Sequence, residues 1–135
     1  MKLIFVTAVL AVSLRMLGCA TKEPIPASNV VPAATGVTKV SKDSNDNTSI
    51  HLKVDHLAPP QNLQPPRAIY VVWVQTPDNQ TYNLGQLKVD KELEGELKAV
   101  TPFKIFRLVI TAEDFPTVSL PSQQVVLTTD VLEAK

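Results

Sequence analysis

From Gly36 onward the chain alternates apolar and polar residues with a period of two. In Ile50-His51-Leu52-Lys53-Val54-Asp55 one parity is apolar and the other polar. That pattern predicts a half-buried strand with Ile50, Leu52 and Val54 facing the core. Phe106-Arg107-Leu108-Val109-Ile110-Thr111 puts Phe106, Leu108 and Ile110 inward on the same grounds. Ala68 to Val74 is apolar on both parities, as in a central strand covered on both faces or a long buried one. Val125-Val126-Leu127-Thr128-Thr129 is a further β-branched run, and Val37–Val40, Leu84–Val89 and Gly95–Val100 are weaker candidates. About seven short strands result, and no segment carries the period of an amphipathic helix.

The stretches between these runs carry turn chemistry: Ser41 to Asn47, Ala58-Pro59-Pro60, Pro65-Pro66 and Thr76 to Gln80. Pro77 presets φ for a turn, and Asn79 tolerates a left-handed backbone. Short strands separated by such signals predict an all-β fold, an immunoglobulin/fibronectin-like sandwich, with a small closed barrel as the alternative. Trp73, on the most apolar strand, is the expected core aromatic. Tyr70 has the opposite parity and is expected partly outward near Tyr82, a candidate aromatic binding surface or simply a cross-strand pair.

The first residues follow a different pattern. Met1-Lys2 precedes an apolar run from Leu3 to Leu14, too short for a stable bilayer anchor and typical of a secretory leader. Met16-Leu17-Gly18-Cys19-Ala20 follows, and it resembles the lipobox of bacterial lipoproteins, in which cleavage precedes a cysteine that takes a diacylglyceryl thioether. Cleavage between Gly18 and Cys19 would make Cys19 the lipidated N-terminus. Met16, Leu17 and Arg15 depart from the usual pattern, and ordinary cleavage after Ala20 with soluble secretion is the competing reading. Residues 20–35 hold Pro24, Pro26 and Pro32 among Ala, Ser and Thr, which predicts an extended tether; docking as an irregular first strand is the alternative. The expected organisation is therefore a leader over residues 1–18, the lipidated Cys19 and tether over 19–35, and a sandwich over 36–135.

Composition narrows the function classes. The 135 residues include 13 basic and 13 acidic side chains, and loss of Lys2 and Arg15 with the leader turns a formal charge of zero into −2. That balance argues against a nucleic-acid partner. A single cysteine excludes an intramolecular disulfide and a cysteine-based zinc cluster. His51 and His56, the only histidines, fall on opposite faces of a straight strand and do not converge on a metal. Asp43, Asn45 and Asn47 resemble the start of a calcium loop, but Thr48 and Val54 stand where glycine and a bidentate glutamate belong. Glu92, Glu94 and Glu96 alternate near Lys88, Lys91 and Lys98, which suits the wet face of a hairpin. With no phosphate loop and no nucleophile elbow, neither an enzyme nor a cofactor is expected.

One ordered series of motifs resembles a known family. Tyr70-Val71-Val72-Trp73, Asn83 to Leu87, Thr101-Pro102-Phe103, Phe106 to Glu113 and Val125-Val126-Leu127 are similar to the extracytoplasmic C-terminal domain of anti-sigma-K factors. The resemblance spans roughly residues 68–128 and implies a sandwich on the extracytoplasmic side. The sigma-binding domain and spanning helix of that family have no counterpart here, and Phe115-Pro116-Thr117-Val118-Ser119 replaces its glycine-rich segment, so sigma inhibition is not implied. The expectation is a non-enzymatic envelope lipoprotein, held in the outer membrane and facing the periplasm, that binds an envelope protein or a glycan. The alternatives are an accessory subunit of an envelope assembly and a carbohydrate-binding domain.

Overall fold

The computed structural model describes residues 20–135. Nine strands run in the order β1 (Thr21–Pro24), β2 (Thr35–Lys42), β3 (Thr48–Asp55), β4 (Ile69–Gln75), β5 (Thr81–Leu87), β6 (Gly95–Thr101), β7 (Ile105–Glu113), β8 (Val125–Thr128) and β9 (Leu132–Glu133). They form two antiparallel sheets, β1-β2-β3-β6 and β5-β4-β7-β8, with β9 added beside the start of β7. The chain crosses between sheets three times, from β3 to β4, from β5 to β6 and from β6 to β7. The first crossing joins interior strands of the two sheets and the later two pass through the edge strand β6, so the sheets are tied together as an immunoglobulin/fibronectin-like sandwich and do not close into a barrel. Among the described residues no helix is long and apolar enough to cross a membrane.

The period-two pattern explains the core. Ile50, Leu52 and Val54 of β3 pack against Phe106, Leu108 and Ile110 of β7 and Tyr70, Val72 and Val74 of β4, all buried. The aromatic assignment differs from expectation. Tyr70, not Trp73, occupies the space between the sheets, fully buried, and its phenol donates to the Ala58 carbonyl at 2.6 Å. Trp73 is equally buried but lies on the outer face of its sheet with Val71 and Val109. Burial pushes the Tyr70 phenol up to about 12, because the phenolate would lose its solvation.

Three connections share one turn. At Asp43–Asn47, Thr76–Gln80 and Asp90–Glu94 the first residue's N–H donates to the fifth residue's carbonyl, and the fourth residue's N–H returns to the first carbonyl. The fourth residue is left-handed in each: Asp46 at φ 62°, Asn79 at 63° and Leu93 at 62°. This is the three-residue loop whose αL position matches strand twist. Asp43 and Asp90 reinforce it, each accepting two backbone N–H groups through Oδ1 at 2.9 Å. The oxygen-rich Asp43 run is thus spent on its own backbone, and Asp46 meets Lys42 and Lys104. Leu93 is the odd member, since a γ-branched side chain gains nothing from αL.

Residues 20–35 depart from the tether expectation. Thr21–Pro24 pairs with Val37–Val40 as the edge strand β1, and the segment beyond it lies on the domain with Ile25, Ser28, Val31 and Ala34 buried. Two details explain the docking. A Cβ on Gly36 would stand 2.5 Å from Ile25 Cδ1, so the glycine leaves the notch that Ile25 fills, and the Ile25 N–H donates to the Gly36 carbonyl at 2.9 Å. Ser28 Oγ reaches the other sheet, donating to the Val126 carbonyl of β8 at 2.5 Å. Prolines therefore shape this segment without freeing it. β9 is the second strand beyond the expected seven, two residues beside Ile105 and Phe106.

Three outcomes follow from this packing. Gly36→Val should expel Ile25, and hydrogen exchange should then show loss of protection at the Ile25 and Val31 amides while the β4 and β7 amides stay protected. Leu93→Asn should raise stability by about 0.5–1 kcal/mol in urea titrations by relieving left-handed strain. Because the Tyr70 pKa is raised on folding, stability should fall as pH climbs from about 10 to about 12. Tyr70→Phe should make that alkaline decline shallower while costing about 1 kcal/mol at neutral pH for the lost hydrogen bond.

Candidate functional site

The outer face of the β5-β4-β7-β8 sheet is apolar where a solvated sheet would be polar. Val71 and Trp73 of β4 stand beside Val109 of β7, with Ile69 and Val118 packed against them. Such a face needs a cover, and the connection from β7 to β8 supplies it. That connection runs from Asp114 to Gln124, and Val118 is its inward apolar contact.

A line of hydrogen bonds pins the loop. The Trp73 indole Nε1–H donates to Thr111 Oγ1 at 2.8 Å, and the Thr111 hydroxyl donates to Glu113 Oε1 at 2.6 Å. The same Glu113 oxygen accepts the backbone N–H of Ser122 at 2.7 Å. Glu113 is only 4% exposed, so its oxygen links the sheet to the returning end of the loop in a poorly solvated place. Ser122 Oγ donates to the Ala112 carbonyl at 2.9 Å. Asn83 of β5 donates to the carbonyls of Pro116 and Val118 at 2.9 and 3.1 Å, holding the middle. Arg67 closes the base through Asp114 Oδ2 at 3.0 Å and Gln124 Oε1 at 2.9 Å.

With its base, middle and return held, the loop presents two large apolar side chains to solvent. Phe115 is 68% exposed and Leu120 75%, the two most exposed large hydrophobics of the described chain. Single exposed apolar residues are ordinary. Two on one pinned loop, flanked by Pro116 and Pro121, are an ordered apolar surface that needs little further ordering to bind.

The residues singled out from sequence fall elsewhere. Tyr70 and Tyr82 do not form a surface together: Tyr70 is in the core opposite Leu87, and Tyr82 pairs with Val74. The Tyr82 ring, 47% exposed, packs on Phe103 with centroids 4.8 Å apart and planes tilted by 36°. Phe103 itself packs against the core, so the pair seals the sandwich edge. Gly18 and Cys19 lie outside the described residues. His51 faces outward and its Nε2 meets Glu96 Oε1 at 2.5 Å, whereas His56 sits past the strand end at φ 55°. Glu92 and Glu94 belong to the Asp90 turn.

Leu120 is not legible as a surface residue in the sequence, and Phe115 stands out there only as one aromatic among seven and as the first residue of the Phe115–Ser119 segment. The available signal was the second apolar parity of β4, which requires a covering segment somewhere in the chain. No family model, curated protein or solved structure matches this chain.

Trp73, the single tryptophan, reports on the loop. Native emission should be blue-shifted and resistant to iodide. Glu113→Ala should red-shift it, admit quencher and cost about 1–3 kcal/mol, because the Thr111 hydroxyl and Ser122 N–H lose their acceptor. Glu113→Gln, which keeps an acceptor oxygen, should lose less.

Proposed function

We propose that the protein is a non-enzymatic, lipid-anchored module of the cell envelope that binds a protein partner through the loop from β7 to β8. The observation that carries the reading is the pinned loop exposing Phe115 and Leu120. An aromatic and an aliphatic anchor on a preorganised loop suit a partner with small apolar pockets. Cys19 supplies the anchor, with triacylation giving stable membrane attachment, and Ala20 after it favours the outer membrane. The anti-sigma-K resemblance fits the same extracytoplasmic placement. Of the four edge strands, β1 carries Pro24 and Lys22 and β8 has its Val126 carbonyl taken by Ser28, which blunts those two edges against strand addition. With the Tyr70–Tyr82 platform unformed, a glycan has no ring surface there.

Two experiments test this reading. Mass spectrometry should find an acylated N-terminus at Cys19, and Cys19→Ala should lose the lipid mass and move to the soluble fraction; processing after Ala20 would refute the anchor. Crosslinking in native envelopes should capture a protein with the wild type. A Phe115→Ser/Leu120→Ser variant should weaken that complex by at least about 30-fold while folding stability stays within about 0.5 kcal/mol. Undiminished capture by the variant would rule out the loop as the contact.

A further inference from the structure

The opposite face of the sandwich carries a feature that the partner loop does not use. Strand register on the β1-β2-β3-β6 sheet places Lys22 opposite Lys39, Lys39 opposite His51, and His51 opposite Lys98. All four side chains share the outer face, one from each strand. At the usual strand spacing the row is about 14 Å long from first Cα to last. Lys53 stands in the next row, opposite Glu96. Like charges directly opposite on a sheet are destabilising, so nothing in folding alone favours this row.

The counter-charge on the face is sparse. Its strands contribute Asp55 and Glu96 to this face, the exposed Glu23 of β1 having the opposite parity, and Glu96 is engaged by His51 at 2.5 Å. Among the described residues none of Lys22, Lys39, Lys53 and Lys98 forms an ion pair, and all four are exposed. The His51 hydrogen bond, with Lys53 and Lys98 nearby, holds the Glu96 carboxyl below its usual range, as a positive field would. Most acids of the described chain lie in turns or on the other sheet, which is how a nearly neutral chain acquires a basic face.

The first described residue also lies on this face. Ala20 lines a shallow groove there with Lys39, His51 and Lys98, and Lys22 is three residues from Cys19, a span of about 10 Å at most. We propose that this lysine row docks on the anionic phosphate headgroups of the bilayer that carries the anchor. A flat sheet with a straight cationic row suits a planar anionic surface, and the position of Ala20 turns that face toward the anchor. Acyl chain and basic patch then act as two membrane signals, and the Phe115–Leu120 loop on the opposite sheet points away from the membrane. This orientation rests on the Cys19 anchor proposed above; headgroup binding by the face does not.

The test therefore uses residues 20–135, which contain both sheets and every core contact described and carry no acyl chain. Sedimentation with phosphatidylcholine vesicles, with and without about one-third phosphatidylglycerol, measures partitioning at low salt. Binding should require the anionic lipid and weaken as salt shortens the Debye length. Lys22→Gln/Lys39→Gln/Lys98→Gln should lower partitioning by about 100-fold, each lysine near an anionic surface being worth about fivefold. Lys91→Gln/Arg107→Gln/Lys135→Gln, with the same charge change elsewhere, should leave it nearly intact, and unchanged Trp73 emission should verify folding in both. Equal loss in the two variants, or no binding to anionic vesicles, would overturn the proposal. Retention of inorganic polyphosphate without vesicle binding would also overturn it, in favour of a soluble polyanion. Failure of Cys19 acylation would leave the vesicle result standing and remove only the orientation.

Discussion

The structure depends on β4 being apolar on both sides. A strand of this kind must be buried twice, and no single sheet-on-sheet contact does that. Tyr70, Val72 and Val74 face the other sheet, while Val71 and Trp73 face outward. The outward pair then demands a cover, and the demand is met by a loop held through Asn83, Glu113 and Arg67. The loop that exposes Phe115 and Leu120 is therefore a by-product of covering the central strand.

Period two made most of the sandwich legible. The strands around Leu52 and Leu108 stand where alternation put them, with their inward residues correctly assigned, because a half-buried strand leaves no freedom of register. Tyr70 and Trp73 were exchanged because parity tells which residues share a face, never which face is inside. Where both parities are apolar, the decision passes to distant residues such as Val118 that supply the second cover. The docked segment was hidden for a different reason. Its prolines suggest extension, and extension is correct, but an extended chain can also add to a sheet edge when a glycine such as Gly36 clears space for one isoleucine.

Charge shows the same limit. Whole-chain neutrality is compatible with strongly unequal faces, since cross-strand register decides which charges become neighbours. Lys22, Lys39, His51 and Lys98 are far apart in sequence and carry no motif, yet pairing across four strands puts them in one line. Glu96 answers this row through His51, and Asp55 shares a groove with Lys22, Lys39 and His51. The two faces consequently differ in kind. One is basic and flat, and the other is apolar and built on a loop.

The pairing of β1 has a mechanical consequence. Any force on the chain ahead of Ala20 enters the domain through four paired residues at a sheet edge. Pulled along its own axis, β1 would load its hydrogen bonds together in shear; lifted away from β2, it would open them one after another. Behind it, Ile25 in its notch and Ser28 on β8 form a second stop that spans both sheets. The sandwich could thus yield its first strand under a transverse tug and lengthen by a few residues, while the core around Leu52 and Phe106 carries none of the strain.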